Sequence, residues 1–214
     1  PYEIEYFSKL NQKFKHQIKY IDSRLNESTA ILAKGFEAIC AFVDDTMDEA
    51  CIKVLAKQGI KIIALRCAGF NHVNLKVCHA QNIKVCYVPE YSPYSIAEHT
   101  FALLLTLNRK THKAYQRVRE GNFSLTHLMG SELHGKTLGI IGLGKIGSKV
   151  AKIANGFGMK VLAVEPAIEK NIMNLEQIEL TTLDKLLSNS DVVSLHCPLN
   201  KNTHHLINKA TFAA

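Results

Sequence analysis

The chain has 214 residues, of which 47% are hydrophobic and 21% charged, and its formal net charge is +7. This composition is ordinary for a globular protein with one large or two small domains. The 26 lysines and arginines are spread along the chain and form no basic stripe of the kind that binds nucleic acid. No apolar run approaches the roughly 18 residues of a membrane span, and the start lacks the apolar region of a signal peptide. We therefore expect a cytoplasmic protein that binds neither nucleic acid nor a membrane.

Six cysteines stand at positions 40, 51, 67, 78, 86 and 197, and no two of them form a C-x-x-C pair. That spacing fits no zinc site, so no metal is expected. Cys40 and Cys86 lie inside apolar runs. Such thiols are predicted to be buried as small hydrophobic groups in a reducing compartment.

Strand-like and helical patterns alternate through the first 90 residues. The predicted helices cover residues 4–14, 47–57 and 75–81, with a further helix end capped by Gly35. The predicted strands cover residues 19–21, 38–43, 61–65 and 83–88. This alternation predicts an α/β fold with a mainly parallel sheet.

The pattern changes after Pro89, where a long helix is predicted from residue 96 to residue 119. Its first half, residues 101–107, is almost entirely apolar and is predicted to be buried on most sides. Its second half is basic and should be exposed, and Gly121 should cap it. We place a domain boundary just before this helix, so that one domain spans residues 1–90 and the other 91–214.

A glycine-rich turn follows a strand predicted at residues 137–141. The turn carries glycines at 142, 144 and 147, and a helix, a second strand at 160–164 and Glu165 come after it. The first glycine allows a tight turn, the second lets the backbone approach a pyrophosphate, and the third lets the helix pack close to the strand. A carboxylate at Glu165 would bind the ribose hydroxyls and repel a 2′-phosphate. The segment therefore predicts a dinucleotide site that prefers NAD to NADP.

The remaining pattern continues the sheet. A strand is predicted near residues 176–181, a short helix at 182–187, a strand at 191–195 and a helix from Asn208. These strands raise the second sheet to about four, where a complete dinucleotide fold has six. The fold class predicted is α/β, with two Rossmann- or flavodoxin-like parallel-sheet domains that are both incomplete in this chain.

Several segments in order resemble one known family, the D-isomer-specific 2-hydroxyacid dehydrogenases, and most closely its D-lactate dehydrogenase branch. The matching segments include Arg66-Cys-Ala-Gly-Phe-Asn, Val88-Pro-Glu-Tyr-Ser-Pro, the glycine turn at 139–147 and Asp191-Val-Val-Ser-Leu-His-Cys-Pro-Leu. The resemblance implies reversible hydride transfer between NADH and a 2-oxo acid such as pyruvate, giving a D-2-hydroxy acid such as D-lactate. It also implies a homodimer.

The resemblance implies a substrate site in the first domain. The backbone amides of Ala68 and Gly69 correspond to the pair that binds the substrate carboxylate, and two N–H groups of this kind form an anion cradle. Tyr91 corresponds to an aromatic residue at the lip of the inter-domain cleft that contacts substrate. The alternatives are an ordinary turn glycine at Gly69 and a hinge aromatic that only packs at Tyr91.

The resemblance also assigns cofactor contacts beyond the three glycines. The backbone of Lys145 and Ile146 should meet the pyrophosphate, and Glu165 the adenosine ribose. For Thr203 the alternative is a plain surface residue. The residues implied to line the adenine and pyrophosphate side are Cys197, Pro198 and Thr203.

The chain departs from the family pattern in four respects. Glu165 stands where the family more often has Asp, His72 where it usually has Asn, and Asn74 where it usually has Asp. The family's catalytic Arg, Glu and His correspond to positions downstream of Ala214. None of the catalytic residues is therefore expected within this chain, and the 214 residues alone are expected to be inactive.

Two alternative functions use the same fold. NAD-sensing transcriptional corepressors bind partner proteins and barely catalyse, and a basic surface would suit such a role. The segment around Tyr91 and the absence of a peptide-binding signal argue against it. The phosphoglycerate and formate branches of the family are the other alternative, which a substrate panel would separate.

Overall fold

The computed structural model describes residues 2–166 and 177–212. Its backbone contacts divide the chain into two compact units, Pro1–Tyr91 and Ser92–Ala214, named here the N-terminal and C-terminal units. Each unit contains one sheet of parallel strands. Within the two described ranges, no helix has both the length and the apolar character that crossing a bilayer requires.

The N-terminal unit is built on a three-stranded sheet in the order β1-β2-β3. The predicted α/β alternation is confirmed here, although residues 19–21 form no strand. A 3-10 helix at Ala30–Ala33 precedes the sheet. The other elements are α1 (Tyr2–Phe14), β1 (Ala38–Ala41), α2 (Glu49–Lys57), β2 (Ile62–Leu65), α3 (Leu75–Ala80) and β3 (Lys84–Cys86).

Side-chain caps fix where the two helices after β1 begin. The Asp48 carboxylate accepts a hydrogen bond from the Cys51 amide at 2.9 Å and so caps α2. The Asn74 side chain accepts one from the Val77 amide at 3.3 Å and caps α3. The amide oxygen of Asn74 therefore performs the capping that an aspartate would perform at this position.

The core of the N-terminal unit lies on one face of its sheet. Ile52, Leu55 and Ile63 are fully buried there. Burial raises the pKa of the Cys51 thiol to about 11, with a smaller contribution from Asp48, so this thiol stays protonated at neutral pH.

The opposite face of the same sheet is more exposed. Cys40 on β1 and Cys86 on β3 both pair in register with Ala64 on β2, so all three side chains point to one face. Cys40 and Cys86 are exposed, and the prediction that they are buried is wrong. Their apolar neighbours in sequence, such as Ile39, point to the covered face instead.

Helix α1 forms as predicted, but most of its apolar stripe stays outside the core. Phe7 is half-buried, whereas Ile4, Leu10 and Phe14 are exposed. Its first turn carries Glu3, which forms an ion pair with Arg66 at the end of β2. The contact of α1 with the end of β2 is therefore an ion pair.

The C-terminal unit is built on a four-stranded parallel sheet in the order β6-β5-β4-β7. The first strand in sequence is thus central, as in a dinucleotide-binding half. The elements of this unit are α4 (Pro93–Arg109), α5 (Thr111–Arg119), β4 (Thr137–Ile141), α6 (Lys145–Gly156), β5 (Lys160–Val164), β6 (Ile178–Leu180), α7 (Leu183–Asn189) and β7 (Val192–Leu195).

Burial of β4 organises the core of this unit. Ile140 and Ile141 point to opposite faces of β4 and both are buried, as expected for a parallel strand covered on both faces. Val150 on α6 is fully buried in the same cluster. The rings of Phe101 on α4 and Phe157 after α6 stack with centroids 5.2 Å apart, which joins α4 to this core.

The prediction of one long helix at 96–119, buried over its apolar half, is wrong in two respects. It is two helices, because Lys110 adopts the left-handed conformation with φ 52 and ψ 35. The Lys110 ammonium donates to the His127 and Met129 carbonyls at 3.1 and 3.0 Å, contacts that fix the break. The apolar half is also not buried on most sides, since one face packs inward while Leu107 remains 74% exposed.

Residues 208–212, where a further helix was predicted to begin, form turns instead. The Asn208 carbonyl does accept a hydrogen bond from the Phe212 amide at 3.0 Å, as in one helical turn. The Asn208 side chain also accepts from the Ala210 amide at 2.9 Å, as an N-cap does. Residues 208–212 therefore contain a capped first turn but no assigned helix.

Asp191 joins the N-terminal ends of β4 and β7. Its two carboxylate oxygens accept from the Lys136 ammonium and from the Thr137 amide, each at 2.9 Å. The Asp191 amide in turn donates to the Thr137 carbonyl at 3.0 Å. The hydrogen bond from the Thr137 amide, followed by that from Lys136, holds the pKa of Asp191 below its ordinary value.

We expect Asp191→Asn to lower the resistance of the protein to urea at pH 7. Because the folded-state pKa of Asp191 is depressed, its contribution to stability is present above the unfolded value of 3.8. That contribution is lost as the pH falls through the lower folded-state pKa. The gap between wild type and variant should therefore close below pH 3.8. Urea denaturation from pH 7 to pH 2.5 measures this difference in stability. An equal difference at all pH values would contradict the role given to Asp191. Glu179→Gln, at an exposed carboxylate on β6, is the control.

Candidate functional site

The glycine turn between β4 and α6 lies against the ends of two neighbouring strands. Gly142 has φ +96, and its amide donates to the Val164 carbonyl of β5 at 2.9 Å. A Cβ at Gly142 would lie 2.6 Å from the amide nitrogen of Cys197, just after β7. Glycine is therefore required there both for the backbone conformation and for the close approach of the chain after β7.

Gly147 in the first turn of α6 permits the helix to approach the turn. A Cβ there would lie 2.0 Å from the Gly142 carbonyl oxygen and 3.3 Å from the Ile140 side chain. Real Cβ atoms do not approach backbone oxygens so closely. The third glycine of the motif thus has the packing role that the sequence predicts.

Gly144 has no such internal reason to be glycine. It precedes α6 in an extended conformation, with φ −71 and ψ −157, and an added Cβ would meet nothing within 4 Å. All 12 glycines lie in the described ranges. Three of them have no positive φ and no atom within 4 Å of the position that a Cβ would take. They are Gly69, Gly144 and Gly156.

The first turn of α6 faces this open space without a side-chain cap, because Gly144 has none to offer. Backbone N–H groups at a helix N-terminus attract anions such as phosphate. Lys145 is exposed, whereas Ile146 is half-buried and packs on the core of the unit. The arrangement at Gly144, Lys145 and Ile146 fits a pyrophosphate next to the backbone.

Glu165 follows β5 and is half-buried beside the turn. Its Oε2 accepts a hydrogen bond from the Leu143 amide, the residue between the first two glycines, at 2.8 Å. This contact ties the acid to the turn. It could not be predicted from the sequence, because the donor is a main-chain amide that any residue at 143 other than proline would supply.

The chain after β7 passes close to the turn. The His196 amide donates to the Ile141 carbonyl at 2.7 Å, which brings Cys197 next to Gly142. The His196 Nε2 lies 2.9 Å from the Ser194 hydroxyl, and burial lowers the pKa of His196. The imidazole is therefore neutral at pH 7, and it adds no charge beside the turn.

Pro198 and Thr203 belong to the loop that leaves β7. The Thr203 hydroxyl donates to the Pro198 carbonyl at 2.5 Å and accepts from the Asn200 amide at 2.8 Å. Pro198 is exposed, while Cys197 and Thr203 are half-buried. Thr203 thus closes this loop. The expected contact between its side chain and an adenine stays a prediction.

In the N-terminal unit, Ala68 and Gly69 lie in the loop that leaves the carboxyl end of β2. The backbone of this loop is tied down, since the Cys67 carbonyl accepts from the Val88 amide at 3.2 Å. A Cβ at Gly69 would enter open space, and Gly69 does not have a positive φ. This is the same combination as at Gly144 and Gly156, and Gly69 is exposed. Tyr91, the last residue of the unit, is 65% exposed.

Metal ligation finds no support in the described part of the chain. Residues 2–166 and 177–212 contain no group of three or more His, Cys, Asp or Glu side chains that could hold an ion. The six cysteines are free thiols. His72 has a ring nitrogen, Nε2, that is buried and has no hydrogen-bond partner in this structure.

Two family models match the chain. The one described as D-isomer specific 2-hydroxyacid dehydrogenase, catalytic domain, matches residues 1–147. The one described as D-isomer specific 2-hydroxyacid dehydrogenase, NAD binding domain, matches residues 101–214.

Named relatives match over almost the whole chain. A 2-hydroxyacid dehydrogenase homolog of Schizosaccharomyces pombe is 48% identical over 100% of this chain, and the D-lactate dehydrogenase of Escherichia coli is 44% identical over 99% of it. The chain spans 64% of the length of each of these curated relatives.

Solved structures agree with the fold. The apo-structure of the Escherichia coli D-lactate dehydrogenase superposes with a TM-score of 0.88 at 44% identity, covering 99% of this chain and 67% of that one. The Aquifex aeolicus D-lactate dehydrogenase complexed with NAD and lactic acid superposes with a TM-score of 0.82 at 37% identity. That match covers 100% of this chain and 63% of the other.

Proposed function

Because the chain belongs to the D-isomer specific 2-hydroxyacid dehydrogenase family, we propose that the protein interconverts pyruvate and D-lactate with NADH and NAD as cofactors. The observation that carries the proposal is the open space at Gly144, which lies in the same turn whose Leu143 amide binds Glu165. Two observations support pyruvate as the 2-oxo acid. Some relatives are named D-lactate dehydrogenase, and the sequence resembles the D-lactate dehydrogenase branch of the family.

The C-terminal unit would hold the dinucleotide. The amides at the start of α6 would face the pyrophosphate, and Glu165 would accept hydrogen bonds from the adenosine ribose. The three glycines have separate tasks, since 142 and 147 shape the turn and 144 leaves room for the ligand. Residues of the loop after β7, Cys197, Pro198 and Thr203, are proposed to line the same site.

The N-terminal unit would hold the acid substrate. The amides of Ala68 and Gly69 would bind its carboxylate, and Tyr91 would contact it. The nicotinamide, when bound, supplies or accepts the hydride. The contribution of these residues is to bind and orient the 2-oxo acid, which converts a bimolecular step into an effectively intramolecular one.

The function is tested by assaying the full-length protein for reduction of pyruvate, hydroxypyruvate and larger 2-oxo acids with NADH. We expect pyruvate to have the highest kcat/KM and the product to be D-lactate, identified by chiral chromatography. Preference for a larger 2-oxo acid would move the protein to another branch of the family. No reduction of any 2-oxo acid would contradict the proposed activity. The relatives named above are dehydrogenases, so the corepressor alternative is not favoured.

We expect Glu165→Gln to weaken NADH binding about tenfold and to narrow the preference for NADH over NADPH. The neutral amide makes weaker hydrogen bonds to ribose hydroxyls than a carboxylate does, and it no longer repels a 2′-phosphate. Titration of cofactor fluorescence measures both affinities directly. Glu132→Gln, at an exposed carboxylate of the same unit, is the matched control. Equal affinities in wild type and Glu165→Gln would remove Glu165 from the site.

We further propose that the protein is a cytoplasmic homodimer. The six free thiols suit a reducing compartment. Exposed apolar side chains are concentrated on α4, α5 and the loop after α5. That loop is tied to α5, because Arg117 donates to the Thr126 carbonyl at 2.6 Å. A symmetric dimer uses one such surface twice. This α4–α5 surface comprises Leu103, Leu107, Tyr115, Val118, Phe123, Leu125 and Met129, all of them exposed.

Placing a charge on the α4–α5 surface is expected to produce monomers. Leu125 is 78% exposed, so Leu125→Asp should cost little in the free chain but would bury an unpaired carboxylate in a dimer. Sedimentation velocity at micromolar concentration distinguishes the two states. Leu32→Asp, at an exposed leucine of the N-terminal unit, should leave the dimer intact. A wild-type protein that sediments as a monomer would contradict the proposal.

A further inference from the structure

Arg66 immediately precedes the proposed substrate cradle, which is the loop of residues 67–70, and two contacts hold its guanidinium. Arg66 is the first residue after β2. Its Nη1 forms an ion pair with Glu3, and its Cζ lies 4.3 Å from the centroid of the Phe42 ring. The two side chains of the pair are 31% and 34% exposed, whereas those of the Lys53–Glu49 pair are 54% and 60% exposed. Arg66 therefore has two partners and belongs to a less exposed ion pair than Lys53–Glu49.

The platform under Arg66 is itself rigid. The Phe42 amide donates to one oxygen of Asp45 at 2.7 Å, and the other oxygen accepts from the Leu25 amide at 2.7 Å. These two bonds fix the backbone that carries the Phe42 ring. The ring then offers its face to the guanidinium, an arrangement stabilised by cation–π attraction.

The backbone of the cradle loop is continuous with this platform. The Arg66 amide donates to the Ala41 carbonyl at 3.1 Å, so Arg66 and Phe42 leave neighbouring strands side by side. Farther along, the Cys67 thiol donates to the Gly69 carbonyl at 3.2 Å. A backbone rotation at Arg66 that redirected the amides of Ala68 and Gly69 would pull the guanidinium off Phe42 and Glu3 unless its side-chain torsions compensated.

We infer that Arg66, held by Glu3 and Phe42, is a positioning residue that aims the Ala68 and Gly69 amides at the substrate carboxylate. This inference rests on the proposed function of that amide pair. Two N–H groups bind one carboxylate well only when they converge on it, and the cradle has no side-chain donor of its own at Ala68 or Gly69. The ion pair and the stacking contact supply that alignment from outside the loop.

The test measures pyruvate kinetics at saturating NADH in the full-length protein. Arg66→Gln should raise the KM for pyruvate about tenfold with kcat changed less than about threefold, since the loss is in ground-state alignment of the substrate. Arg66→Lys keeps the charge but lacks the planar guanidinium that stacks on Phe42 and pairs with Glu3, so it should raise the KM for pyruvate too. The Kd for NADH should stay unchanged in every variant.

Two further variants separate positioning from simple electrostatic attraction. Glu3→Gln removes a negative charge from the surroundings of an anion site, so attraction alone predicts a lower KM for pyruvate. Positioning predicts a higher KM, because the guanidinium loses its partner. Phe42→Leu changes no charge and preserves an apolar side chain. Positioning again predicts a higher KM for pyruvate, whereas attraction alone predicts an unchanged KM.

Lys53→Gln is the control, because it breaks an exposed ion pair in the same unit and should leave KM unchanged. Thermal unfolding midpoints identify variants that lose structure. If Arg66→Gln unfolds, the KM values of Phe42→Leu and Glu3→Gln still test the inference. A wild-type or lower KM in Arg66→Lys, Phe42→Leu and Glu3→Gln would overturn the inference and leave the proposed function standing. A wild-type protein without any 2-oxo acid reductase activity would overturn both.

Discussion

Replacing Gly147 with alanine is expected to lower the free energy of unfolding of the C-terminal unit by about 3 kcal/mol, the upper end of the usual cost of overpacking. The added methyl carbon would lie 2.0 Å from the Gly142 carbonyl oxygen. The backbone fixes the position of the Cβ and the other partner is a backbone oxygen, so no side-chain rotation can relieve the contact. Either α6 must move off β4 or the turn must open, and both changes disturb the buried cluster around Val150.

Gly156→Ala provides the matched control for that measurement. It is a glycine at the other end of the same helix, with no positive φ and no atom within 4 Å of an added Cβ. Alanine there should be neutral or stabilise the helix by about 0.5 kcal/mol. Guanidinium denaturation followed by circular dichroism compares the two variants. Equal stability of Gly147→Ala and Gly156→Ala would show that the turn tolerates the methyl group.

Gly144→Ala is expected to have the opposite pattern, with stability nearly preserved and NADH affinity strongly reduced. The methyl group enters space that is empty in the protein, and loss of glycine before the helix costs less than about 1 kcal/mol. With the cofactor bound, the same methyl group would meet the pyrophosphate. A strain of this kind should weaken NADH binding by roughly tenfold to a hundredfold.

Fluorescence titration of NADH and a denaturation curve on the same preparation of Gly144→Ala test both parts. Unchanged NADH affinity would mean that the pyrophosphate does not lie beside residue 144. A loss of stability as large as that of Gly147→Ala would mean that the space around residue 144 is not free. Ser148→Ala, in the first turn of α6 but bonded to the Lys145 carbonyl, controls for general changes near the helix start.

The local part of the fold could be predicted from sequence. The strand, glycine turn, helix and second strand at 137–164 lie within 28 positions, and each boundary has its own chemical signal. The contact that requires Gly147, with the Gly142 carbonyl oxygen, lies inside this segment, and so does the positive φ of Gly142. Secondary structure of this kind is encoded by neighbours in the chain.

What could not be predicted depends on partners far away in sequence. The break at Lys110 requires a lysine in the left-handed conformation, stabilised by carbonyls 17 and 19 positions later. The exposure of Cys40 and Cys86 depends on which face of a three-stranded sheet the helices cover. The setting of Arg66 depends on Glu3 and Phe42, which precede it on other elements. A sequence pattern carries no record of such pairings.

The strand order of the C-terminal sheet also bears on how the unit folds. Thr137 pairs with Lys160 on β5, whereas the clamp between Thr137 and Asp191 spans 54 positions. Each doubling of a loop adds about 0.6 kcal/mol of closure entropy, so docking of β7 is disfavoured relative to β5 by roughly threefold. We expect β4, α6 and β5 to assemble first and β7 to join later, an order that pulse-labelled hydrogen exchange can follow. Gly142 would then gain its neighbour Cys197 only in that last step, after the helix N-terminus has already formed.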